Sequence, residues 1–307
     1  RDRALGFDHA GEIGQPHRYH VLLDGGIEAE LTAADHTVLT RFRYPRGSRT
    51  AVLIFDQVEG TGELLLPEPG APAVLHAWTD DAAGTRADRE APPRAYLHAS
   101  IDRPILDRGM LPDEGEPRVR GTDRSAARGW VRVALDDEAT VTVRMATSFI
   151  GTAQAARNLR LDGAGDPFER VQERAAEAWD DWIGRIEVEG ADDEARAQLA
   201  TCLYRVGLFP NRAHESVAAD GSDSEATSRY ASVFAPTRPR GTAAETGAAI
   251  NHGELTVNHG FWDVYRTAWP LYCLLDPSTA ARLLDGFAEH YRSGGWTSRW
   301  SAPGPID

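Results

Sequence analysis

The first half of the chain alternates between short apolar runs and turn signals, which is the pattern of β-strands. In segment 140–145, threonine and arginine alternate with valine and methionine. A period of two directs one face of a strand into a core and the other toward water. The segments with strand character are 19–24, 27–33, 37–44, 51–57, 130–135 and 140–150.

Glycine and proline mark the turns between these runs. The Asp24-Gly25-Gly26 step separates the first two runs and predicts a hairpin. Segment 67–121 is rich in Pro, Gly, Asp and Arg, so we expect mostly loop, with one strand at 95–101. Many short strands without intervening helices predict an antiparallel β-sandwich, and we assign it to residues 1–162.

The apolar period then changes to three and four residues, which indicates helices. Asp166 is suited to an N-cap and Pro167 to the first helical position, so a helix is expected from there to about Gly184. Segment 186–189 is expected to form a short strand. Residues 163–190 are thus interpreted as a linker helix and strand.

Further helices are expected in residues 191–307. One begins near Asp192 and stops before Pro210, and the aperiodic tract 211–251 follows as a long loop. A helix over 261–275 should be kinked or broken at its internal Pro270, and a last helix over 277–292 should stop at Gly294-Gly295. A β domain followed by successive helices suits a truncated α/α barrel, so the fold class is all-β plus all-α.

Charge limits the classes of partner. All 33 cationic residues are arginine, against 47 acidic residues, for a net charge of −14. Nucleic-acid binding needs a surplus of clustered cations, so we expect no nucleic-acid partner. No apolar run approaches the roughly 20 residues of a membrane span, so we expect no membrane partner.

Cysteine and motif content exclude several chemistries. Cys202 and Cys273 are the only cysteines, which excludes a disulfide framework but leaves one bridge between them open. The chain contains no phosphate-binding glycine loop, no GxSxG elbow and no HExxH motif.

Tryptophans concentrate near the C-terminal end of the chain. Trp262, Trp269, Trp296 and Trp300 are four of the eight, and charged residues stand between them. Flat rings beside carboxylates and guanidinium groups suit a sugar site, because C–H faces pack on rings and hydroxyls bind charged groups. The alternative is that the rings fill a helical core while Asp263 and Arg266 pair three residues apart.

The order of several motifs resembles glycoside hydrolase family 92, the α-mannosidases. In the first half these are Phe7-Asp8-His9 with Glu12 and Pro16, segments 19–24 and 26–33, and Arg41 with Tyr44-Pro45. In the second half they are segment 155–159, the helix ending at Trp179, and segments 203–205, 261–266 and 294–300. The combination of AELTA and WDxYR carries most of the specificity.

This resemblance implies an N-terminal β-sandwich, here without its first part, followed by the beginning of an (α/α)6 barrel. It also implies an exo-acting, inverting and calcium-dependent α-mannosidase that acts on mannose-containing oligosaccharides or glycoprotein glycans, most simply α-1,2-linked mannose. Inversion requires a general acid and a general base about 6.5–9.5 Å apart. Secretion or cell-surface location is expected from that substrate class.

By the same resemblance Asp263 binds hydroxyls of the terminal mannose, Trp262 and Arg266 shape that position, and a neighbouring wall is formed by Trp296, Arg299 and Trp300. The catalytic acid, the base and most calcium ligands are expected beyond Asp307. The 307-residue chain is therefore expected to be an inactive fragment. The competing interpretations are a non-catalytic carbohydrate-binding protein and another (α/α)6-barrel hydrolase, such as a trehalase-like or glucoamylase-like enzyme.

Overall fold

The computed structural model describes residues 4–57, 62–80, 94–111, 127–218, 225–234, 241–297 and 300–301. The chain divides into two compact units. The first comprises residues 1–82, 94–176 and 243–245, and the second comprises residues 83–93, 177–242 and 246–307. No helix in the described residues combines the length and the apolar character that a membrane span requires.

The first unit is built on antiparallel strands. They are β1 (Phe7–Gln15), β2 (Arg18–Leu23), β3 (Ile27–Ala33), β4 (Thr37–Arg43), β5 (Thr50–Asp56), β6 (Gly62–Leu65), β7 (Val74–Thr79), β8 (Ala95–Ile101), β9 (Ile105–Met110), β10 (Arg128–Ala134) and β11 (Thr140–Ser148). Eight of them form one sheet in the order β1-β2-β3-β4-β11-β8-β7-β6, and the other three form a sheet in the order β5-β10-β9.

Alternate residues of the two sheets face each other and form the core of this unit. Val131 and Val133 of β10 and Val141 of β11 are completely buried, as the period of two requires. Leu75 and Ala99 of the larger sheet are equally buried in the same cluster. The predicted antiparallel β-sandwich is therefore confirmed.

The strand predictions were correct where alternation is regular and wrong in the polar tract. Strands β3 and β8 have the predicted bounds, and the other predicted strands differ by one or two residues at their ends. Segment 67–121 was predicted to be mostly loop with one strand, which is β8, but β7 and β9 also lie within it. Polar residues such as His76 and Asp107 interrupt the alternation of β7 and β9, and pairing with β8 and β10 determines those strands instead.

Helix α1 (Thr152–Leu161), which the sequence pattern did not predict, lies against β8 and β11. It buries polar side chains there. The Asn158 side-chain amide donates to the Thr147 carbonyl oxygen at 2.9 Å, and the Gln154 amide donates to Asn158 Oδ1 at 2.9 Å. These hydrogen bonds explain how a helix with a polar buried side can pack on a sheet.

Helix α2 (Phe168–Ile183) begins slightly later than predicted. The Pro167 carbonyl accepts a hydrogen bond from the Val171 N–H, so the proline precedes the first helical residue. The Asp166 carboxylate pairs with Arg174 at 2.5 Å. Phe168 and Val171 are buried against Leu39.

Arg41 joins strand β4 to the start of α2. Its guanidinium bonds Glu30 at 2.8 Å and also pairs with Glu169. The same group lies 4.2 Å from the centre of the Phe168 ring. Both Arg41 and Glu30 have side chains only 12% exposed, and the guanidinium lowers the pKa of Glu169.

In the second unit, α3 (Asp193–Gly207) begins and ends as predicted. The Asp192 carboxylate caps it by accepting a hydrogen bond from the Ala195 N–H at 2.8 Å. Segment 186–189 does not form the predicted strand, because no strand in the described part of the chain pairs with it. Val188 is instead 44% exposed.

The tract 211–251 is not the structureless loop that was predicted. It contains β12 (Asn211–Arg212), β13 (Glu215–Val217), β14 (Thr227–Ala231) and the start of β15 (Ile250–His252). Strand β12 pairs with β16 (Thr256–Val257), and Tyr230 is completely buried in a cluster with Val233, Leu255 and Val257. Strands of two to five residues are too short to show a period.

The C-terminal segment contains β17 (His259–Gly260), α4 (Phe261–Val264), α5 (Ala268–Leu275), α6 (Pro277–Gly294) and β18 (Trp300–Ser301). The predicted helix over 261–275 is broken, but at residues 265–267 and not at Pro270. Pro270 lies in the first turn of α5, where a missing N–H leaves no helical hydrogen bond unmade. The helix breaks before the proline for that reason.

Helix α6 has strong signals at both ends. The Asp276 carboxylate accepts a hydrogen bond from the Thr279 N–H at 2.9 Å and pairs with Arg185 at 2.7 Å. The Thr279 bond and then the Arg185 pair hold the pKa of Asp276 well below its ordinary value. Gly295 ends the helix at a φ of 80°, which confirms the predicted glycine stop.

Arg41→Met is expected to lower the free energy of unfolding by about 3 kcal/mol, because it leaves the buried Glu30 carboxylate without its closest cation. Urea unfolding of the protein would measure this change. Arg49→Met is the matched control, because the Arg49 and Asp137 side chains are 74% and 94% exposed, and it should cost less than about 0.5 kcal/mol. Equal losses for the two variants would contradict the importance of the Arg41 contacts.

Candidate sugar-binding segment

Strand pairing brings the two aromatic parts of the C-terminal segment together. In β17 and β18, His259 is opposite Ser301 and Gly260 is opposite Trp300. Gly260 then leads directly into α4, which contains Trp262 and Asp263. The pairing therefore places Trp300 beside the start of the WDxYR motif although the two lie far apart in sequence.

One group of aromatic residues is buried and forms the scaffold. Phe287 of α6 contacts His259 at 5.3 Å, Phe261 at 4.8 Å and Trp269 at 6.1 Å between ring centres. Trp269 is 9% exposed. For Trp269, the interpretation of the tryptophans as core residues is correct.

Tyr272 of α5 fastens this scaffold to the end of α3. Its hydroxyl donates to the carbonyl oxygens of Val206 at 3.0 Å and Phe209 at 2.7 Å. Burial raises the pKa of Tyr272 to about 12, so the hydroxyl keeps its proton and remains a donor.

A second group of aromatic residues is exposed. Trp262 is 73% exposed, Trp296 is 47% exposed and Trp300 is 44% exposed. These three rings are not part of the core, in contrast to Trp269. Large apolar rings that are exposed close together in a protein often mark a binding surface.

Gly260 determines where the Trp300 ring lies. A Cβ atom at position 260 would lie 2.3 Å from Trp300 Cζ3 and 2.6 Å from Cε3. The ring therefore packs directly on the glycine backbone, and no other residue fits there without moving the ring. This close approach is a reason for glycine that the sequence pattern alone does not reveal.

Asp263 and Arg266 do not form the ion pair that a continuous helix would allow. Helix α4 ends at Val264, so the three-residue spacing no longer places the two side chains together. The Arg266 guanidinium lies 4.9 Å from the centre of the Tyr265 ring instead. The Asp263 side chain is exposed, and its carboxylate has no hydrogen bond or ion pair with any described residue.

Of the other predicted site residues, Trp296 follows the Gly295 cap of α6, and Arg299 lies outside the described residues. The structure thus pairs Trp300 with Gly260, two residues before Trp262 and three before Asp263. The sequence pattern does not reveal the contacts of His259 with Phe287 and Ser301. The apolar period of α6 placed Phe287 on the buried side and was the available signal.

The described residues do not form a metal centre. Among them, no group of three or more His, Cys, Asp or Glu side chains converges. Cys202 and Cys273 are exposed and are not bonded to each other, so the bridge that the sequence left open is not formed.

Two models of one enzyme family match the chain. The model of the glycosyl hydrolase family 92 N-terminal domain matches residues 1–148, and the model of the family 92 catalytic domain matches residues 154–305. Together they cover nearly the whole chain. No curated protein sequence gives a significant match.

Solved structures with this family name have the same fold. The inverting mannosidase BT2199 from Bacteroides thetaiotaomicron aligns with a TM-score of 0.79 and 24% identity over 99% of this chain. The α-mannosidase BT3965 from the same organism aligns with a TM-score of 0.73 and 19% identity over 97% of this chain, and its structure with mannoimidazole aligns equally well. The chain spans 38% of the length of BT2199 and 38% of BT3965.

Trp269→Ala is expected to lower the free energy of unfolding by about 3–5 kcal/mol, because it removes a large ring from a packed cluster. Trp262→Ala should change it by less than about 0.5 kcal/mol, because that ring is exposed. Urea unfolding of both variants would measure the difference. Comparable losses would show that Trp262 is a packing residue and would remove it from the candidate site.

Proposed function

The chain belongs to glycosyl hydrolase family 92, and on that basis we propose that it forms part of an exo-acting, inverting α-mannosidase. The proposed substrate is terminal α-linked mannose, most simply the α-1,2-linked mannose of N-glycans or mannan. The partners would be mannose-containing oligosaccharides or glycoprotein glycans, and the protein would act outside the cell or at its surface.

The observation that carries this proposal is the exposed set of Trp262, Asp263 and Trp300 on a buried aromatic scaffold. A pyranose presents C–H groups to an indole ring and hydroxyls to a carboxylate. Asp263 has no partner among the described residues, so its oxygens are available to accept hydrogen bonds from sugar hydroxyls. That BT2199 and BT3965 are mannosidases supports mannose as the sugar.

We place the catalytic acid and base outside these 307 residues. An inverting hydrolase needs two carboxyl groups about 6.5–9.5 Å apart, with room for a water molecule between one of them and the sugar. The chain spans only 38% of the solved mannosidase BT2199, which leaves much of such an enzyme to supply them. In this proposal the chain binds and orients the terminal sugar and is inactive alone.

Calcium dependence belongs to the same proposal. Calcium takes six to eight oxygen ligands, and bound to sugar hydroxyls it would stabilise a distorted ring. Because the described part of the chain has no converging group of three metal-binding side chains, it does not fit such a site. We therefore assign no calcium ligand to these residues.

The direct test is mannose release from α-1,2-mannobiose by the full-length protein and by the 307-residue chain, each with calcium and with a chelator. We expect calcium-dependent release by the full-length protein alone. Binding without release would favour a carbohydrate-binding protein, and release of glucose from a glucoside would favour another (α/α)6-barrel hydrolase. Release of mannose by the isolated 307-residue chain would contradict our proposal that the catalytic acid and base lie outside it.

Asp263→Ala in the full-length protein is expected to lower kcat/KM by at least about 100-fold, because hydrogen bonds to a charged group contribute about 1.5–3 kcal/mol each. The melting temperature should change little, since Asp263 is exposed. Asp285→Ala is the control, because that carboxylate is 69% exposed and pairs with Arg292 of the same helix. A loss of activity matched by a loss of stability would instead indicate a packing role for Asp263.

A further inference from the structure

His259 lies at the junction of the two exposed parts of the candidate site. The backbone N–H of His259 donates to Ser301 Oγ at 3.2 Å, and the Ser301 hydroxyl donates to the backbone carbonyl oxygen of His259 at 3.4 Å. The Trp300 ring packs on the next residue, Gly260. Helix α4, which contains Trp262 and Asp263, begins directly after it. The backbone of His259 is therefore attached to both parts.

The His259 ring is enclosed by aromatic side chains. Phe261 and Trp269 contact it edge to face at 5.4 Å each, and Phe287 stacks on it at 5.3 Å. The residue is 4% exposed, and its Nε2 atom has no hydrogen-bond partner among the described residues. A buried nitrogen without a partner is costly, and a phenyl ring, which is also flat and aromatic, carries no such nitrogen.

The charges around this ring are few. The residues that contact His259 from other elements are uncharged: Trp269 of α5, Ser301 of β18 and Phe287 of α6. The Phe287 ring also lies 6.0 Å from the His290 ring. The acidic group whose field reaches the ring is Asp263 of α4. Burial lowers the pKa of His259, and Asp263 opposes that effect only partly, so the ring is neutral at neutral pH.

We propose that His259 is a positioning residue whose neutral ring holds Trp300 and the Trp262–Asp263 turn together and leaves the Asp263 carboxylate free for sugar hydroxyls. The inference rests on the proposed function, because it assigns Asp263 to the sugar. A protonated ring would place a cation in the field of Asp263 and would compete for that carboxylate. Sugar binding should therefore weaken in acid.

The first test measures KM for α-1,2-mannobiose in the full-length protein from about pH 7.5 down to about pH 4.5, because burial moves the titration of His259 below the ordinary histidine range. At the upper pH, His259→Ala should raise KM roughly tenfold, and His259→Phe should recover most of that loss, because a ring again supports both parts. In acid, KM should rise in the native protein and stay level in His259→Phe.

His290→Gln is the matched control. His290 is also buried, and burial lowers its pKa, but its Nε2 bonds the Thr256 carbonyl oxygen at 2.7 Å and its ring contacts Phe234 and Phe287. This variant should keep the rise of KM in acid. The inference is overturned if His259→Phe shows the same rise as the native protein, or if it binds as weakly as His259→Ala.

A second test needs no sugar. The titration of His259 can be followed by NMR in full-length protein with labelled histidine rings, and the signal is assigned by its loss in His259→Phe. Asp263→Asn should move this titration to lower pH. An unmoved titration overturns the inference whether or not mannosides are hydrolysed, whereas a moved titration without hydrolysis supports the His259–Asp263 coupling and contradicts only the proposed function.

Discussion

The packing of Phe287 against His259, Phe261 and Trp269 is the contact on which the second unit depends most. It joins a strand, two short helices and a long helix at a single ring. Trp269 and Phe287 are buried in this cluster, whereas Trp262, Trp296 and Trp300 lie at the surface on the backbone that the cluster supports. A rigid buried cluster beneath exposed rings is what allows an aromatic surface to keep one geometry without a ligand.

Arginine has a structural role in the first unit that lysine could not fill. Arg41 bonds two carboxylates while its planar group covers Phe168, and Arg94 covers the Trp78 ring at 3.5 Å while bonding Asp80 through two nitrogens. A flat guanidinium can stack and donate in its own plane at once, whereas an ammonium group cannot. The absence of lysine from the sequence is therefore compatible with an ordinary network of buried ion pairs.

Prediction from sequence worked where the signal is local. The cap at Asp192, the glycine stop at Gly295 and the regular alternation of β10 and β11 depend on neighbouring residues, and the structure has them as expected. Prediction from sequence failed where the local structure depends on contacts with residues distant in sequence. Strand β9 exists because β10 pairs with it, and segment 186–189 is irregular because no described strand pairs with it. The exposure of Trp262 beside the burial of Trp269 follows from the break before α5.

The contact between Gly260 and Trp300 makes an absent side chain part of the candidate site. A methyl group at this position would occupy space that the indole now fills, so the ring would have to tilt or withdraw. The position of the Trp300 ring is thus controlled by a residue that has no side chain of its own. Divergence of ligand preference could begin at position 260 while every exposed aromatic and acidic side chain stayed the same.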